Sequence, residues 1–245
     1  LYGWGWLAGS VLVMSLLPLS ALGSRIGLLR LYQYGQLLFL AATVLCFFAR
    51  SLPFLLVVRT LQALGTGAAL SVSTGLMREI YPHKQVGRGV AIGSMVVSIS
   101  SALAPAIGGQ ILAIASWQWL FAAAAPLAIL SLVIGRGTLP ASAPRDEPYD
   151  VLGAVLCALT FGLSIIGLES LVRGDSPVIA VAIIVAGIII GTLFVRRELS
   201  EKSPILPVDL LARPVLALSA FAAMCSFTAS MTLFLSLPFR LQQHY

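Results

Sequence analysis

The sequence predicts an all-α protein that crosses a membrane about eight times. Hydrophobic residues make up 59% of the 245 positions and charged residues only 10%, against about 45–50% and about 25% in an ordinary soluble domain. Because 15 basic and 9 acidic residues provide too little polar surface to cover so large an apolar core, a water-soluble globule is excluded. The mean hydropathy of +0.99 agrees with lipid as the solvent for most of the chain.

Eight apolar runs carry this prediction, and each is long enough to form a membrane-spanning helix. A helix satisfies its own backbone hydrogen bonds in hydrocarbon, whereas a closed barrel would require alternating strands of about ten residues instead of continuous apolar stretches. The runs lie at about 4–23, 31–49, 53–77, 89–113, 117–135, 151–172, 177–195 and 214–239.

The polar gaps between the runs predict the orientation. Eleven of the fifteen Lys and Arg residues lie in four alternate gaps, whereas only three lie in the other gaps or beyond the last run. Positive charge is retained on the cytoplasmic side, so the first set is expected there and the first run descends from outside to inside. This set comprises 24–30, 78–88, 136–150 and 196–213. The sequence opens without a basic leader or an initiator methionine, which predicts an internal piece of a longer protein. If that protein begins in the cytoplasm, the descending first run predicts an odd number of missing upstream spans, of which one is the simplest case.

Two of these gaps are long enough to separate groups of helices. The stretch 136–150 combines prolines with mixed charge, which is typical of a flexible connector. The stretch 196–213 mixes charges with Pro204, Pro207 and apolar residues, which favours a partly interfacial linker.

Nucleic-acid binding and enzyme chemistry are not expected. The net charge of +6 is scattered through short gaps and is not massed on one polar face. The two histidines, His83 and His244, lie in a cytoplasmic gap and near the end of the chain, so no nucleophile–histidine pair is available within a span. Cys46, Cys157 and Cys225 lie in three different apolar runs without metal or disulfide spacing and are interpreted as packing residues. No metal or other cofactor is predicted.

Arg59 is the first candidate for a functional residue. It falls within the third run, where a guanidinium is costly unless it faces a polar cavity or a partner. Gln62 follows three residues later on the same helical face. Gly65 and Gly67 permit a neighbouring helix to approach closely. The alternative interpretation is that Arg59 snorkels to the nearby outer surface.

The fourth run predicts a bent helix with a closely packed face. It is dense in Ser, Ala and Gly, including Gly108 and Gly109, and Pro105 removes one backbone hydrogen bond. Such a helix suits a moving part, and the alternative is a static tight contact. The first cytoplasmic gap, with Arg25 and Gly27, is by itself only a short turn.

Taken in order, these motifs resemble the major facilitator superfamily, and within it the fourteen-span drug:proton antiporters. The similarity covers essentially the whole chain, and the stretch 20–30, with Arg25 and Gly27, is similar to the family's loop between the second and third spans. Further matches are Arg59, Gln62, Gly65 and Gly67 in the arginine motif of the fourth span, Pro105, Gly108 and Gly109 in the fifth, Trp117, Trp119 and Phe121 at the opening of the sixth, Tyr149, Asp150 and Gly153 at the start of the first of two extra central spans, and Leu237, Pro238 and Gln242 at the end of the ninth.

The resemblance implies the domain organisation. The eight runs would be the second to ninth of fourteen spans, and the first span, which carries a membrane-embedded aspartate in the family, would lie outside this chain. The implied parts are five spans of the N-terminal bundle in 1–135, the connector 136–150, two extra central spans in 151–195, the cytoplasmic linker 196–213 and the first span of the C-terminal bundle in 214–245.

The resemblance also implies a function, which is proton-coupled efflux of hydrophobic or cationic small molecules, including drugs, across the bacterial inner membrane. The energy source would be the proton gradient, and the partners would be the substrate and the lipid bilayer, without an obligate protein partner. Arg59 and Gln62 are assigned to the proton or substrate pathway. Assigned to helix packing and gating are Arg25, Gly27, Gly65, Gly67, Pro105, Gly108 and Gly109.

Several positions depart from the family pattern. In the family, the acidic residue of the first loop motif usually pairs with arginine and helps to gate the transporter. Ser24 replaces this acidic residue here, and Leu28 and Leu29 replace the basic pair of the same motif. The resemblance therefore implies that this gate is weakened or remade. Ala63 and Ala104 stand where glycine is usual, and both are small enough to preserve close packing.

The main proton carrier is expected outside this chain. All acidic residues except Glu169 belong to cytoplasmic gaps, helix ends or an outer loop. Glu169 lies near the outer end of the sixth run and is interpreted as interfacial, with a proton carrier as the alternative. A second hypothesis therefore remains for the 245 residues, namely a nontransporting remnant or a membrane scaffold without a complete translocation pathway.

Overall fold

A computed structural model describes residues 18–19, 22–23, 25–138, 150–173, 176–200 and 214–244. Every regular element within these ranges is helical, so the predicted all-α class is confirmed. The chain divides into two units, residues 1–194 and residues 195–245. The helices are α1 (Leu28–Phe47), α2 (Leu52–Ile80), α3 (Val86–Ile114), α4 (Trp119–Ala122), α5 (Ala125–Thr138), α6 (Val151–Arg173), α7 (Pro177–Glu198) and α8 (Pro214–His244), with a 3-10 turn at His83–Gln85 before α3.

The described ranges contain six helices that are long and apolar enough to cross a membrane, so the predicted count of eight is not confirmed. The first predicted run, 4–23, falls almost entirely outside these ranges. The eighth run forms α8, of which the described apolar part, Pro214–Ser230, is shorter than a full crossing. The fifth run is one span built from α4 and α5, which are separated by a turn at 123–124.

Helices α1 and α2 form an antiparallel pair joined by four residues. Ser51 has an extended backbone and Pro53 lies in the first turn of α2, which is the position where a helix tolerates proline best. The two backbones touch at Gly35 and Gly65, since a Cβ built on Gly65 would lie 2.7 Å from the carbonyl oxygen of Gly35. Only glycine on both sides permits such an approach.

Two small apolar clusters lie along this helix pair. One is formed by Leu31 of α1 with Ala68, Val72 and Leu76 of α2. The other is formed by Ala42 and Cys46 of α1 with Val58 of α2, and Phe121 of α4 packs against it. Small or β-branched side chains form the second cluster, and in the first cluster Ala68 and Val72 of this kind pack with two leucines.

A second close helix pair is formed by α6 and α7 through glycine. A Cβ on Gly167 of α6 would lie 2.5 Å from Cγ1 of Ile184, and one on Gly187 of α7 would lie 3.2 Å from the backbone nitrogen of Ser164. Gly187 and Gly191 are four residues apart, the spacing of a small-residue motif for helix association in lipid. Hydropathy predicts these two spans, whereas the glycine motif was not singled out from the sequence.

A hydrogen bond between Tyr32 and Ser131 joins α1 to α5, with a distance of 2.7 Å between Oη and Oγ. We expect Tyr32→Phe to lower the free energy of unfolding by about 1 kcal/mol, because it removes this bond and leaves the ring in place. The midpoint of an unfolding titration in mixed detergent measures the change. Tyr34→Phe is the matched control, since Tyr34 is 61% exposed on the same helix. Equal midpoints for the two variants would contradict the prediction.

Candidate functional site

The candidate site is a chain of hydrogen bonds that runs from Arg59 into the α1–α2 contact. Arg59 Nη1 donates to Gln62 Oε1 at 2.7 Å, and Gln62 Nε2 donates to Thr43 Oγ1 at 2.9 Å. The Thr43 hydroxyl in turn donates to the carbonyl oxygen of Phe39 at 2.7 Å. We call Arg59, Gln62 and Thr43 the arginine network.

Local geometry explains the first bond of the arginine network. Arg59 and Gln62 are three residues apart on α2, so their side chains lie on one face. Gln62 is 7% exposed and Thr43 is fully buried, whereas Arg59 is exposed. The charge therefore lies at the edge of the helix pair and its neutral partners lie inside it.

The donors and acceptors fix the direction of the arginine network. A guanidinium can only donate, so the oxygen of the Gln62 amide must face Arg59 and its nitrogen must face Thr43. The amide is then satisfied at both ends, and a buried amide without such partners would be costly. Because any rotation of Gln62 breaks both bonds, the arginine network couples the position of Arg59 to the spacing of α1 and α2.

Aromatic rings surround Arg59 on the other side. The Cζ atom of Arg59 lies 5.3 Å from the centroid of the Phe121 ring, which is within the range of a cation–π contact. Trp117 meets Phe121 edge to face, with centroids 6.0 Å apart and ring planes at 89°. Phe47 of α1 meets Trp119 in the same manner at 5.6 Å. The turn before α4 and its first residues are thus tied to α1 and α2.

The hydrogen bond to Gln62 and the ring contact with Phe121 are both contacts of Arg59 with neutral groups. The sequence of residues 1–145 contains one acidic residue, Glu79, which lies in the last turn of α2. Helices α1 to α5 therefore bring only that carboxylate, twenty positions and more than five helical turns from Arg59. Among α1 to α5, the two observed contacts thus order the cation through neutral groups.

The other predicted site residues occupy different surroundings. Gly27 has φ 97°, a left-handed conformation that favours glycine, immediately before α1, and Arg25 is exposed beside it. Gly65 touches α1, since its Cβ would lie 2.6 Å from the backbone nitrogen of Phe39, and Gly67 is buried.

The small-residue face of α3 is open within the part of the chain that the structure describes. Helix α3 runs continuously through Pro105, which is exposed. A Cβ on Gly108 would meet only Leu120, at 3.7 Å, and one on Gly109 would meet nothing within 4 Å. The expected close packing of this face is therefore not observed among the described residues.

A shallow cleft beside the arginine network is too small for a drug-sized molecule. Its volume is about 160 Å³, against about 300–1,000 Å³ for typical ligand pockets. It is lined by Gln36, Phe39, Gly65, Thr66, Ala69 and Leu70. This cleft therefore does not form a substrate pocket by itself.

Two residues of the site were not singled out from the sequence. Thr43 lies in an apolar run without a motif, and its only signal is that it is polar in a predicted span. Phe121 was noted in a tryptophan-rich opening, but nothing in the sequence places its ring against Arg59.

Comparisons with known proteins give a transporter family and transporter relatives. A family model described as Major Facilitator Superfamily matches residues 2–245. The chain is 43% identical over 233 residues to an uncharacterized transporter, YebQ, of Escherichia coli K12, which covers 94% of this chain and 51% of that protein. It is 30% identical over 248 residues to the lincomycin resistance protein LmrB of Bacillus subtilis, with 97% and 51% covered. It is 32% identical over 203 residues to the multidrug efflux pump LfrA of Mycolicibacterium smegmatis, with 82% and 40% covered. The chain thus spans about half the length of the curated relatives it matches.

Proposed function

Because the chain belongs to the major facilitator superfamily, we propose that the protein carrying it is a secondary transporter that expels hydrophobic or cationic small molecules in exchange for protons. The observation that carries the proposal is the arginine network, which keeps a permanent cation in place on a membrane-spanning helix. The printed names of two relatives, a lincomycin resistance protein and a multidrug efflux pump, support efflux as the direction.

The proposed role of Arg59 is electrostatic. A guanidinium stays charged at every physiological pH, so it cannot itself carry the transported proton. Its positive charge stabilises the ionised form of a nearby carboxylate and is itself stabilised by that group. Arg59 would thereby favour release of a proton from a carboxylate contributed by another part of the transporter, and Gln62 would hold it in the required position.

The gating residues are proposed to act through backbone spacing. Gly65 keeps α2 close to α1, Gly67 is buried two residues further along α2, and Gly27 shapes the turn before α1. The open face of α3 around Pro105 and Gly108 would form a contact that changes during transport. In this proposal the basic gaps, including Arg25, face the cytoplasm of a bacterial inner membrane.

The proposal is tested with everted membrane vesicles that contain the full-length protein. Respiration makes the vesicle interior acidic, and addition of a lipophilic cation such as ethidium is expected to dissipate this pH gradient as protons leave in exchange. Quenching of an acridine dye measures the gradient, and vesicles without the protein are the control. Ethidium accumulation that persists after an ionophore collapses the gradient would overturn proton coupling.

A second candidate, a membrane scaffold without transport, is favoured for the 245 residues by the half-length match to the relatives. Reconstitution of the 245-residue chain beside the full-length protein separates the two candidates. The scaffold hypothesis predicts that the 245-residue chain keeps its helical fold but does not exchange ethidium. Ethidium exchange by both the 245-residue chain and the full-length protein would exclude this hypothesis.

A further inference from the structure

We propose that Phe121 is a positioning residue for Arg59, holding the guanidinium by its ring face at the place where the transporter uses the charge. The consequence for transport rests on the proposed function above. The contact itself is a property of the fold, with Cζ 5.3 Å from the ring centroid.

The surroundings of Phe121 fix its ring. The edge-to-face contact with Trp117 constrains the ring plane on one side. The apolar cluster of Ala42, Cys46 and Val58 packs against Phe121 from α1 and α2. A ring held from two sides is a rigid surface for the flexible side chain of an arginine.

Phe121 and Gln62 restrain Arg59 in complementary ways. Gln62 accepts one N–H of the guanidinium from the same helix, whereas the ring contact uses the face of the cation and none of its five donors. Neither neighbour carries a charge, so neither neutralises Arg59. Gln62 engages one of the five donors, and the two contacts order the long side chain before an anionic partner binds, so the entropy cost of that ordering is met in advance.

A lipid environment strengthens this contact. The attraction between a cation and an aromatic face is weak at exposed sites and grows when water is removed. Since α2 and the span formed by α4 and α5 are both apolar enough to lie in a membrane, Phe121 supplies a favourable contact to a charge at membrane depth. Removal of the ring's electron density would therefore loosen Arg59 without changing the shape of the site.

The test is a series of mono-, di- and trifluorinated phenylalanines at position 121 of the full-length protein. Each fluorine withdraws electron density from the ring face and weakens the cation–π contact, while ring size changes little. We expect stepwise loss of proton-driven ethidium transport, reaching about fivefold in kcat/KM for the trifluorinated protein. Trifluorination at Phe54, an exposed ring in the first turn of α2, is the matched control.

A second series in an Arg59→Gln background separates positioning from packing. The fluorine effect is expected to vanish there, because no cation remains over the ring. Equal losses in the two backgrounds, or transport that does not depend on fluorination, would overturn the proposal.

A readout independent of transport is the NMR signal of the Arg59 side chain in lipid nanodiscs, assigned by its disappearance in Arg59→Lys. The Phe121 ring current is expected to shift this signal, and Phe121→Leu is expected to remove the shift. If the unmodified protein shows no proton-driven efflux, the proposed function fails, and an unchanged Arg59 signal in Phe121→Leu would separately overturn the positioning role.

Discussion

Replacement of Gly65 by alanine is expected to lower the free energy of unfolding by about 3 kcal/mol, the largest stability change we expect for a single methyl group here. The new Cβ would lie 2.6 Å from the backbone nitrogen of Phe39 and 2.7 Å from the carbonyl oxygen of Gly35. Both obstructing atoms belong to the backbone, so no rotamer change can relieve the clash. Helices α1 and α2 must instead move apart, which also separates Gln62 from Thr43.

Two other glycines provide graded controls for this prediction. A Cβ on Gly75 would meet the flexible end of Leu28 at 2.9 Å, which can move aside, and one on Gly87 would meet nothing within 4 Å. We expect Gly75→Ala to be intermediate, and Gly87→Ala to be neutral or to stabilise by up to about 1 kcal/mol through helix propensity. The midpoint of unfolding in mixed detergent ranks the three, and an equal response at Gly65 and Gly87 would contradict the backbone contact.

The helical class follows from composition alone, but helix limits depend on details that hydropathy does not carry. Hydropathy predicts the second run at 31–49 and puts 28–30 in the preceding turn, whereas α1 begins at Leu28. The left-handed backbone of Gly27 ends the turn, and helix geometry resumes at the next residue. Similarly, α2 extends to Ile80, beyond the end of its apolar run at 77. An already formed helix continues readily into polar residues, because its extension costs much less than its nucleation.

The contacts of the site within one helix could be predicted from the sequence, whereas those between helices could not. The pairing of Arg59 with Gln62 follows from a spacing of three residues on α2. Thr43 meets Gln62 only because the contact between Gly35 and Gly65 sets the register of α1 against α2. Such a register depends on tertiary packing of particular side chains, which a single sequence does not show.

The largest effect on transport is expected for Arg59→Ala, which should reduce the kcat/KM of proton-driven efflux by about 100-fold. The substitution removes the permanent charge, leaves the oxygen of a buried Gln62 amide without its donor, and takes the cation from the Phe121 ring. Arg59→Lys is expected to recover only part of this loss, because a compact ammonium cannot donate to Gln62 and stack on Phe121 in the geometry of the planar guanidinium.

Arg50→Ala is the matched control, since Arg50 is an exposed arginine just before α2 and outside the arginine network. Accumulation of ethidium in everted vesicles under an imposed pH gradient, acidic inside, measures coupling, and exchange of labelled for unlabelled ethidium without a gradient measures translocation alone. If Arg59 acts by tuning a carboxylate, its loss affects the first assay far more than the second, because exchange needs no net proton release. Equal losses in both assays would instead assign Arg59 to the substrate path, and undiminished proton-driven efflux in Arg59→Ala would remove it from the mechanism altogether.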